Sequence, residues 1–158
     1  MELIARPLTA EAFAPFGDVV EPLAKPGRAY FETSLGNLRP AATPKLWILT
    51  KNPVPDLPLE ITALERHEFS SQSFVPIEVD RWLVVVAPHA AQGGPDMQRA
   101  LAFIANARQG VSYKPNTWHC GLNVFGKPAR LTVFMWLDGT AGDEEWAQVP
   151  PFTVREAK

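Results

Sequence analysis

Short apolar runs separated by proline and glycine dominate the pattern of this chain. Runs rich in β-prone residues lie at 46–50, 81–87, 101–105 and 129–137. Sixteen prolines and ten glycines lie mostly between such runs, where they end strands and prevent a long helix. The pattern predicts an all-β protein, an antiparallel barrel or sandwich built from many short strands.

Weaker signals predict the remaining elements. Residues 3–4 are expected to start an edge strand, and residues 30–35 are expected to form a further strand. Residues 9–13 predict a single helical turn with Thr9 as its N-cap. The acidic segment 142–146 predicts a turn or a short helix. The chain shows no internal repeat, and its length predicts a single domain over residues 1–158.

Composition narrows the kinds of partner that the protein is expected to bind and the cellular compartment in which it is expected. The chain is 46% hydrophobic and carries a net charge of −2 without a basic block, which argues against nucleic acid as a partner. Residues 1–7 lack the features of a signal peptide, and the apolar run at 82–87 is too short to span a bilayer. The single cysteine, Cys120, can form no internal disulfide. We therefore expect a cytoplasmic protein with no membrane partner.

The first candidate site lies at residues 65–76. Glu65 and His67 are two residues apart, so a strand presents both on one face and Arg66 on the other. Residues 61–69 and 72–77 are predicted to form a hairpin around a serine turn, which brings Gln72 back beside that pair. A lone strand histidine is more often structural than functional. The functional interpretation therefore depends on a second site elsewhere in the chain.

The second stretch, residues 110–123, supplies that site. Its glycine, proline, histidine and asparagine, at positions 110, 115, 119 and 123, resemble the second sequence motif of cupins. The resemblance implies that His119 lies on an inward-facing strand and meets the ligands of the first cupin motif. That first motif is two histidines and a glutamate, and the corresponding positions here hold Glu65, His67 and Gln72.

A closer resemblance is to the ureidoglycolate lyase family, also called ureidoglycolate hydrolases. The matching segments follow the family's order and span most of the chain, at residues 12–19, 64–67, 71–76, 102–106, 109–113 and 117–119. The family resemblance implies a cupin-type antiparallel β-barrel, a double-stranded β-helix, with one or two short helices. It also implies a homodimer. Cys120 replaces a second histidine of the family, and Arg130 and Met135 stand where acidic residues are usual.

The family reaction splits (S)-ureidoglycolate into glyoxylate and urea during allantoin and purine breakdown. Collapse of this carbinol requires a base for the hydroxyl proton and an acid for the leaving nitrogen. Histidines titrate near neutrality and suit both tasks. The predicted catalytic residues are Glu65, His67 and His119, and the predicted substrate-binding residues are Gln72, Tyr113, Lys114 and Arg130. His89, in a glycine-rich loop, is interpreted as solvated.

The residues establish no cofactor. A divalent metal, nickel by the family resemblance, would use Glu65, His67, Gln72 and His119 as ligands. Glutamine is a neutral, weak donor and the set has one carboxylate, so we expect weaker metal binding than at a histidine-rich cupin site. The alternative function is that of another small-molecule cupin, either a metal-dependent enzyme or a non-catalytic binder of a small carboxylic acid.

Overall fold

The computed structural model describes residues 1–157 and is almost entirely β-structure. One short α-helix, α1, covers Ala10–Phe13, and Thr9 caps it by accepting a hydrogen bond from the Ala12 amide, as predicted. A 3-10 turn covers Met97–Arg99. The strands, in chain order, are β1 Glu2–Pro7, β2 Gly17–Val20, β3 Thr43–Lys51, β4 Leu59–His67, β5 Gln72–Glu78, β6 Arg81–Ala87, β7 Leu101–Asn106, β8 Gly110–Tyr113, β9 Trp118–His119, β10 Asn123–Phe125, β11 Ala129–Leu137 and β12 Glu144–Glu156.

These strands form two sheets. The seven-stranded sheet has the order β10-β6-β7-β1-β12-β4-β9, and β9 also pairs with β6, so this sheet closes on itself. The five-stranded sheet has the order β2-β8-β5-β11-β3. The all-β barrel predicted from the sequence is confirmed, but the barrel is mixed, because β1 runs parallel to both β7 and β12. The edge strand expected at residues 3–4 is for the same reason an interior strand.

Two apolar cores follow from this arrangement, and β6 separates them. Val84 and Val86 pack between the two sheets, in what we call the intersheet core. Leu83 and Val85 point the other way, into the inner core enclosed by the seven-stranded sheet. A strand that is buried on both faces must be apolar at consecutive positions, which explains the continuous run at 82–87.

The predicted hairpin at residues 61–77 is wrong. β4 belongs to the seven-stranded sheet and β5 to the five-stranded sheet, so the chain crosses between sheets after His67. Polar contacts hold the crossing: the Asp143 carboxylate accepts hydrogen bonds from the Phe69 amide and the Ser70 hydroxyl. The Ser71 amide donates to the Gly36 carbonyl. These long-range partners satisfy groups that a tight turn would have paired locally.

One further local prediction holds only in part and another fails. The acidic segment at 142–146 is a turn only at residues 142–143, and β12 begins at Glu144, because Glu144 and Trp146 pair with His67 and Glu65 of β4. Residues 30–35 form turns and loop rather than a strand. In both places tertiary partners, which a local pattern does not contain, decide the backbone conformation.

A register irregularity determines which side of β4 faces the site. Ile61 and Leu64 both pack in the inner core although they are three residues apart. The pairing with β12 shifts between them, since Gln148 pairs with Ala63 and the next paired residue, Phe152, faces Ile61. An odd spacing on one face requires such a break in alternation. Beyond the shift, strict alternation sets the side on which each side chain of β4 projects.

Candidate functional site

Three predicted catalytic side chains meet where β4 and β9 pair. Glu65 and His119 are directly opposite each other in the antiparallel ladder. The Glu65 Oε1 atom lies 3.5 Å from His119 Nε2. His67 projects from the same face of β4, and its ring centre is 5.9 Å from that of His119. The two-residue spacing and the second stretch of the chain therefore do converge.

The five-stranded sheet supplies the opposite wall. Gln72, the first residue of β5, places its Oε1 atom 3.1 Å from His119 Nε2. Tyr113 of β8 is paired with Gln72 and stacks its ring on His119, with ring centres 4.2 Å apart and planes 14° apart. Burial, followed by the neighbouring Cys120 and Glu65, raises the pKa of the Tyr113 hydroxyl well above its usual value. Gln72 thus reaches the pocket across the barrel rather than around a hairpin. We call Glu65, His67, Gln72 and His119 the pocket cluster.

The hydrogen bonds of His119 define its protonation pattern. Its Nδ1 atom lies 3.0 Å from the Thr117 carbonyl, which can only accept, so Nδ1 carries a hydrogen. Nε2 then faces two oxygen acceptors, on Gln72 and Glu65. If the ring were neutral with its hydrogen on Nδ1, the lone pair of Nε2 would face those two oxygens, which is unfavourable. A proton on Nε2 or a bound cation removes the conflict.

His67 is buried, and neither ring nitrogen has a hydrogen-bond partner among residues 1–157. Burial and then the charge of His119 lower its pKa, and together they outweigh the opposing charge of Glu65. His67 is therefore neutral at physiological pH and has an available lone pair. A buried imidazole without a partner costs free energy in the absence of a ligand, which is typical of a binding or catalytic group.

Glu65 remains ionised despite its position. Burial alone would raise its pKa, but the hydrogen bond to His119 and the charges of His119 and His67 have the larger combined effect. The net result is a lowered pKa. The pocket cluster thus holds one carboxylate beside two imidazoles of different character.

The pocket cluster opens into a cavity of about 230 Å³. Trp47, Met135 and Leu137 form its apolar wall, and Asp143 and Glu144 also line it. This volume is below the ~300–1,000 Å³ range of pockets for drug-sized ligands and suits a small metabolite. Four larger surface cavities among the described residues, of about 240, 380, 500 and 580 Å³, lie elsewhere and contain none of the pocket cluster.

Two predicted substrate contacts are not brought to this cavity. The Lys114 ammonium donates a hydrogen bond to the Ala14 carbonyl, 2.8 Å away, and borders the 500 Å³ cavity instead. Arg130 is exposed and pairs with Glu78 at 2.6 Å. The alternation argument for Arg66 is confirmed, because its side chain lies on the opposite face of β4 from Glu65. The sequence identified the cationic residues, but it did not show which face of each sheet their side chains occupy.

Sequence reasoning missed several lining residues. Met135 was noted for its identity, and the structure places its Sδ atom 3.6 Å from Gln72 Nε2. Alternation along β11 buries Met135 together with Leu131 and Val133, but only the sheet order places that face on the pocket. Asp143 carried no comparable signal, because its role depends on contacts with Phe69 and Ser70, more than seventy residues earlier.

The pocket cluster also fits a metal ion. One ligand atom from each of Glu65, His67 and His119 lies within 4.8 Å of the others. The unpartnered ring nitrogens of His67 and the acceptor-rich surroundings of His119 Nε2 are what a divalent cation would satisfy. Gln72 Oε1 is a fourth, neutral donor. Cys120 is excluded from the ligand set, since it is buried in the inner core and burial raises its pKa to about 11.

Fold and site together define a small β-barrel protein that carries acid–base side chains in a buried pocket, consistent with a cupin-type barrel. A solved dTDP sugar isomerase from Desulfovibrio desulfuricans G20 has a similar fold, with a TM-score of 0.51, 14% identity, and coverage of 85% of this chain and 82% of the isomerase. At this identity the likeness concerns the fold alone.

Sequence comparison gives the family. The ureidoglycolate lyase family model matches residues 1–154, and the chain belongs to that family. A putative ureidoglycolate lyase of Agrobacterium fabrum is 36% identical, covering 88% of this chain and 85% of that protein. The ureidoglycolate lyase of Schizosaccharomyces pombe is 34% identical, covering 90% and 88%. That of Mesorhizobium japonicum is 38% identical, covering 80% of each.

The helices in the described part of the chain are short, at Ala10–Phe13 and Met97–Arg99. None of them has the length and apolar character needed to cross a bilayer.

Proposed function

We propose that this protein is a carbon–nitrogen lyase that cleaves (S)-ureidoglycolate into glyoxylate and urea. Family membership supports the substrate, and the pocket cluster supports the chemistry. The observation that carries the proposal is the pair of imidazoles with different surroundings, 5.9 Å apart, beside the carboxylate of Glu65. Pairs of titratable groups whose environments differ are the usual arrangement for acid–base catalysis.

In the proposed reaction, neutral His67 accepts the proton of the substrate hydroxyl. The oxygen's electrons form the carbonyl of glyoxylate as the carbon–nitrogen bond breaks. His119, doubly protonated beside Glu65, delivers its Nε2 proton to the leaving nitrogen, which departs as urea. One proton is removed and one is added, so atoms and charge balance. The Glu65 carboxylate stabilises the imidazolium, and the Gln72 amide is placed to bond the ureido group.

Recognition of the substrate carboxylate follows from the same groups. Among the described residues lining the cavity there is no lysine or arginine, whereas Asp143 and Glu144 contribute negative charge there. Protonated His119 therefore supplies the positive charge nearest to the substrate. This assignment uses neither Lys114 nor Arg130, the two cations predicted from the sequence to bind the substrate.

A divalent metal remains part of the proposal as an optional occupant. Glu65, His67 and His119 would hold it, with Gln72 as a weak fourth ligand, and the ion would supply positive charge to the substrate's oxygens. A neutral amide and a single carboxylate predict weak retention. We expect far less than one equivalent of metal after purification without supplementation, by elemental analysis, and near-stoichiometric metal would contradict this.

The direct experiment measures glyoxylate and urea released from (S)-ureidoglycolate by purified protein, with and without a chelator. We expect equimolar products, and turnover that persists in chelator. Absence of turnover for both the metal-free and the metal-supplemented protein would refute the lyase proposal. Stabilisation of such an inactive protein by glyoxylate in a thermal melt would instead support a non-catalytic binder of small acids.

We further propose a homodimer that uses the outer face of the five-stranded sheet. Leu46 and Ile48 of β3 are 69% and 57% exposed, and Ile77 of β5 is 56% exposed. Between these strands, β11 places Phe134 opposite Leu46. An apolar face of this kind on a regular sheet can pack against its own copy about a two-fold axis. Light scattering should report a dimer, and Ile48→Lys should shift it toward monomer; a monomeric wild type at high concentration would contradict the proposal.

A cytoplasmic location belongs to the same proposal. Cys120 is unpaired and buried, which is compatible with a reducing compartment. Fractionation of the source cells tests this location, and recovery with secreted proteins would contradict it.

A further inference from the structure

A buried arginine lies on β4 between the two catalytic side chains and faces away from the pocket. Arg66 is 8% exposed. Its Nε and Nη2 atoms lie 2.7 Å and 2.5 Å from Glu145 Oε2. Its Nη1 atom donates to the Asn116 side-chain oxygen and to His89 Nδ1, the latter at 3.1 Å. Each nitrogen of the guanidinium thus has a partner within the described chain.

Trp118 completes this arrangement. The guanidinium lies 5.1 Å from the centre of the Trp118 ring. The Trp118 indole donates to the same His89 Nδ1 at 3.0 Å, and the planes of the two rings are only 11° apart. His89 accepts from two obligate donors, so its Nδ1 carries no hydrogen. We call Arg66, His89, Asn116, Trp118 and Glu145 the Arg66 cluster.

The backbone alone holds the two halves of the catalytic site together weakly. The ladder between β4 and β9 consists of one residue pair, Glu65 with His119. β9 itself is two residues long. The other edge of β9 pairs with β6 at both His119 and Trp118. The position of β9 relative to β4, and with it the separation of His119 from Glu65 and His67, therefore depends on that one pair and on the contacts around it.

The Arg66 cluster spans this junction on the opposite face. Arg66 lies between Glu65 and His67 in sequence, and Trp118 immediately precedes His119. Asn116 adds a second tie, because its backbone amide donates to the His67 carbonyl at 2.7 Å. Asn116 adopts a left-handed conformation, with φ of 67°, which aims that amide at β4. The hydrogen bond from Arg66 to the Asn116 side-chain oxygen helps to hold residue 116 in this backbone conformation.

We propose that Arg66 is a positioning residue that sets the distance between His119 and the Glu65–His67 pair by clamping β4 to the 116–118 segment. Arg66 touches neither the cavity nor the substrate. The expected effect of Arg66 on kcat rests on the proposed lyase function, whereas its effect on the positions of the two histidine rings does not. Burying a charge costs free energy, and a positioning role gives a reason for a buried arginine in a small barrel.

The test compares Arg66→Met with Arg81→Met. Arg81 is a matched control, because it also lies on the seven-stranded sheet, pairs with two carboxylates, Asp56 and Glu156, and sits 5.3 Å over the Phe125 ring. It differs in having no contact with the segment that carries His119. Methionine keeps the apolar stem of either arginine and removes the charge and the hydrogen bonds.

We expect Arg66→Met to lower kcat by about 10²-fold with a smaller change in KM, since a displacement of ~1 Å can cost that much. Nitrogen-edited NMR spectra of the histidine rings should show altered His119 and His67 signals. Arg81→Met should keep both the rate and the ring spectra. Equal rates and unchanged ring spectra in Arg66→Met would overturn the proposal, as would equal losses in both variants.

Asn116→Gly provides a second route if Arg66→Met does not fold. Glycine retains the left-handed conformation and the backbone amide but removes the acceptor for Arg66. We expect a roughly 10-fold lower kcat and shifted His119 ring signals, and wild-type values for both would overturn the proposal. If the wild type shows no turnover, the lyase function fails, yet the ring spectra of these variants still decide whether Arg66 positions the histidines.

Discussion

The two faces of β4 carry polar clusters of opposite character. In the Arg66 cluster, each nitrogen of the guanidinium meets an acceptor. In the pocket cluster, His67 has no partner within the described chain at either ring nitrogen, and His119 Nε2 faces two acceptors. The contrast shows how one strand can be rigid on one side and chemically unsatisfied on the other. A satisfied network stabilises the fold, whereas an unsatisfied one can bind or react.

The comparison predicts different phenotypes for the two faces. Variants of the pocket cluster should lose rate with little loss of stability. Variants of the Arg66 cluster should lose stability and, through geometry, rate. The four predictions below test the pocket face and its boundary, from the largest effect to the smallest.

His119→Ala should have the largest effect. It removes the proposed acid and the nearest positive charge, so kcat should fall by roughly 10²–10⁴-fold. A coupled glyoxylate assay measures this, with circular dichroism to confirm that the variant is folded. Full activity in His119→Ala would show that His119 is not catalytic. The pocket face of β4 would then lack its proposed acid, and the contrast between the two faces would fail.

His67→Ala should lower kcat by at least ~10²-fold, because a neutral imidazole is lost from the proposed base position. The ring makes no hydrogen bond to the described residues, so the free energy of unfolding should change by less than about 1 kcal/mol. Urea denaturation measures the second quantity. A large loss of stability would mean that His67 is structural, and the distinction between the two faces would fail.

The acid side of the pH dependence follows from His67 and Glu65. The pKa values of both His67 and Glu65 are lowered in the fold, from 6.5 and 4.5. The unfolded chain therefore binds more protons than the native one in acid. The stability these groups contribute is present above their unfolded pKa values and is lost as pH falls through the folded ones. kcat/KM should decline below pH 6.5 as His67 becomes protonated, and an acid limb above pH 7 would contradict the lowered pKa of His67.

The smallest effects should come from Lys114→Gln and Arg130→Gln. Both side chains bond elsewhere, to the Ala14 carbonyl and to Glu78. Exposed pairs of this kind contribute little, so KM should stay within about 2-fold of wild type and stability within ~1 kcal/mol. A KM increase of an order of magnitude for either variant would place that cation in contact with the substrate and would sharpen the boundary of the pocket.

Local patterns in the sequence were sufficient for several features of this protein. Alternation placed Glu65 and His67 on one face and Arg66 on the other, since the side-chain period of a strand is two. The apolar run of β6 and the Thr9 cap were equally readable, because each depends on residues close together in the chain. Family resemblance added His119 to the same pocket. Gln72 was placed there both by the resemblance and by a hairpin that the structure does not contain.

Only the tertiary structure decided how these pieces meet. Gln72 reaches His119 across two sheets, and β1 lies parallel inside a sheet instead of at its edge. The Arg66 cluster joins residues 23 to 79 positions apart from Arg66. Strand order and sheet membership arise from packing two cores at once, and this collective free energy is not contained in any local stretch. The face of a strand on which a residue lies was therefore predictable from the sequence, whereas the residues that it contacts were not.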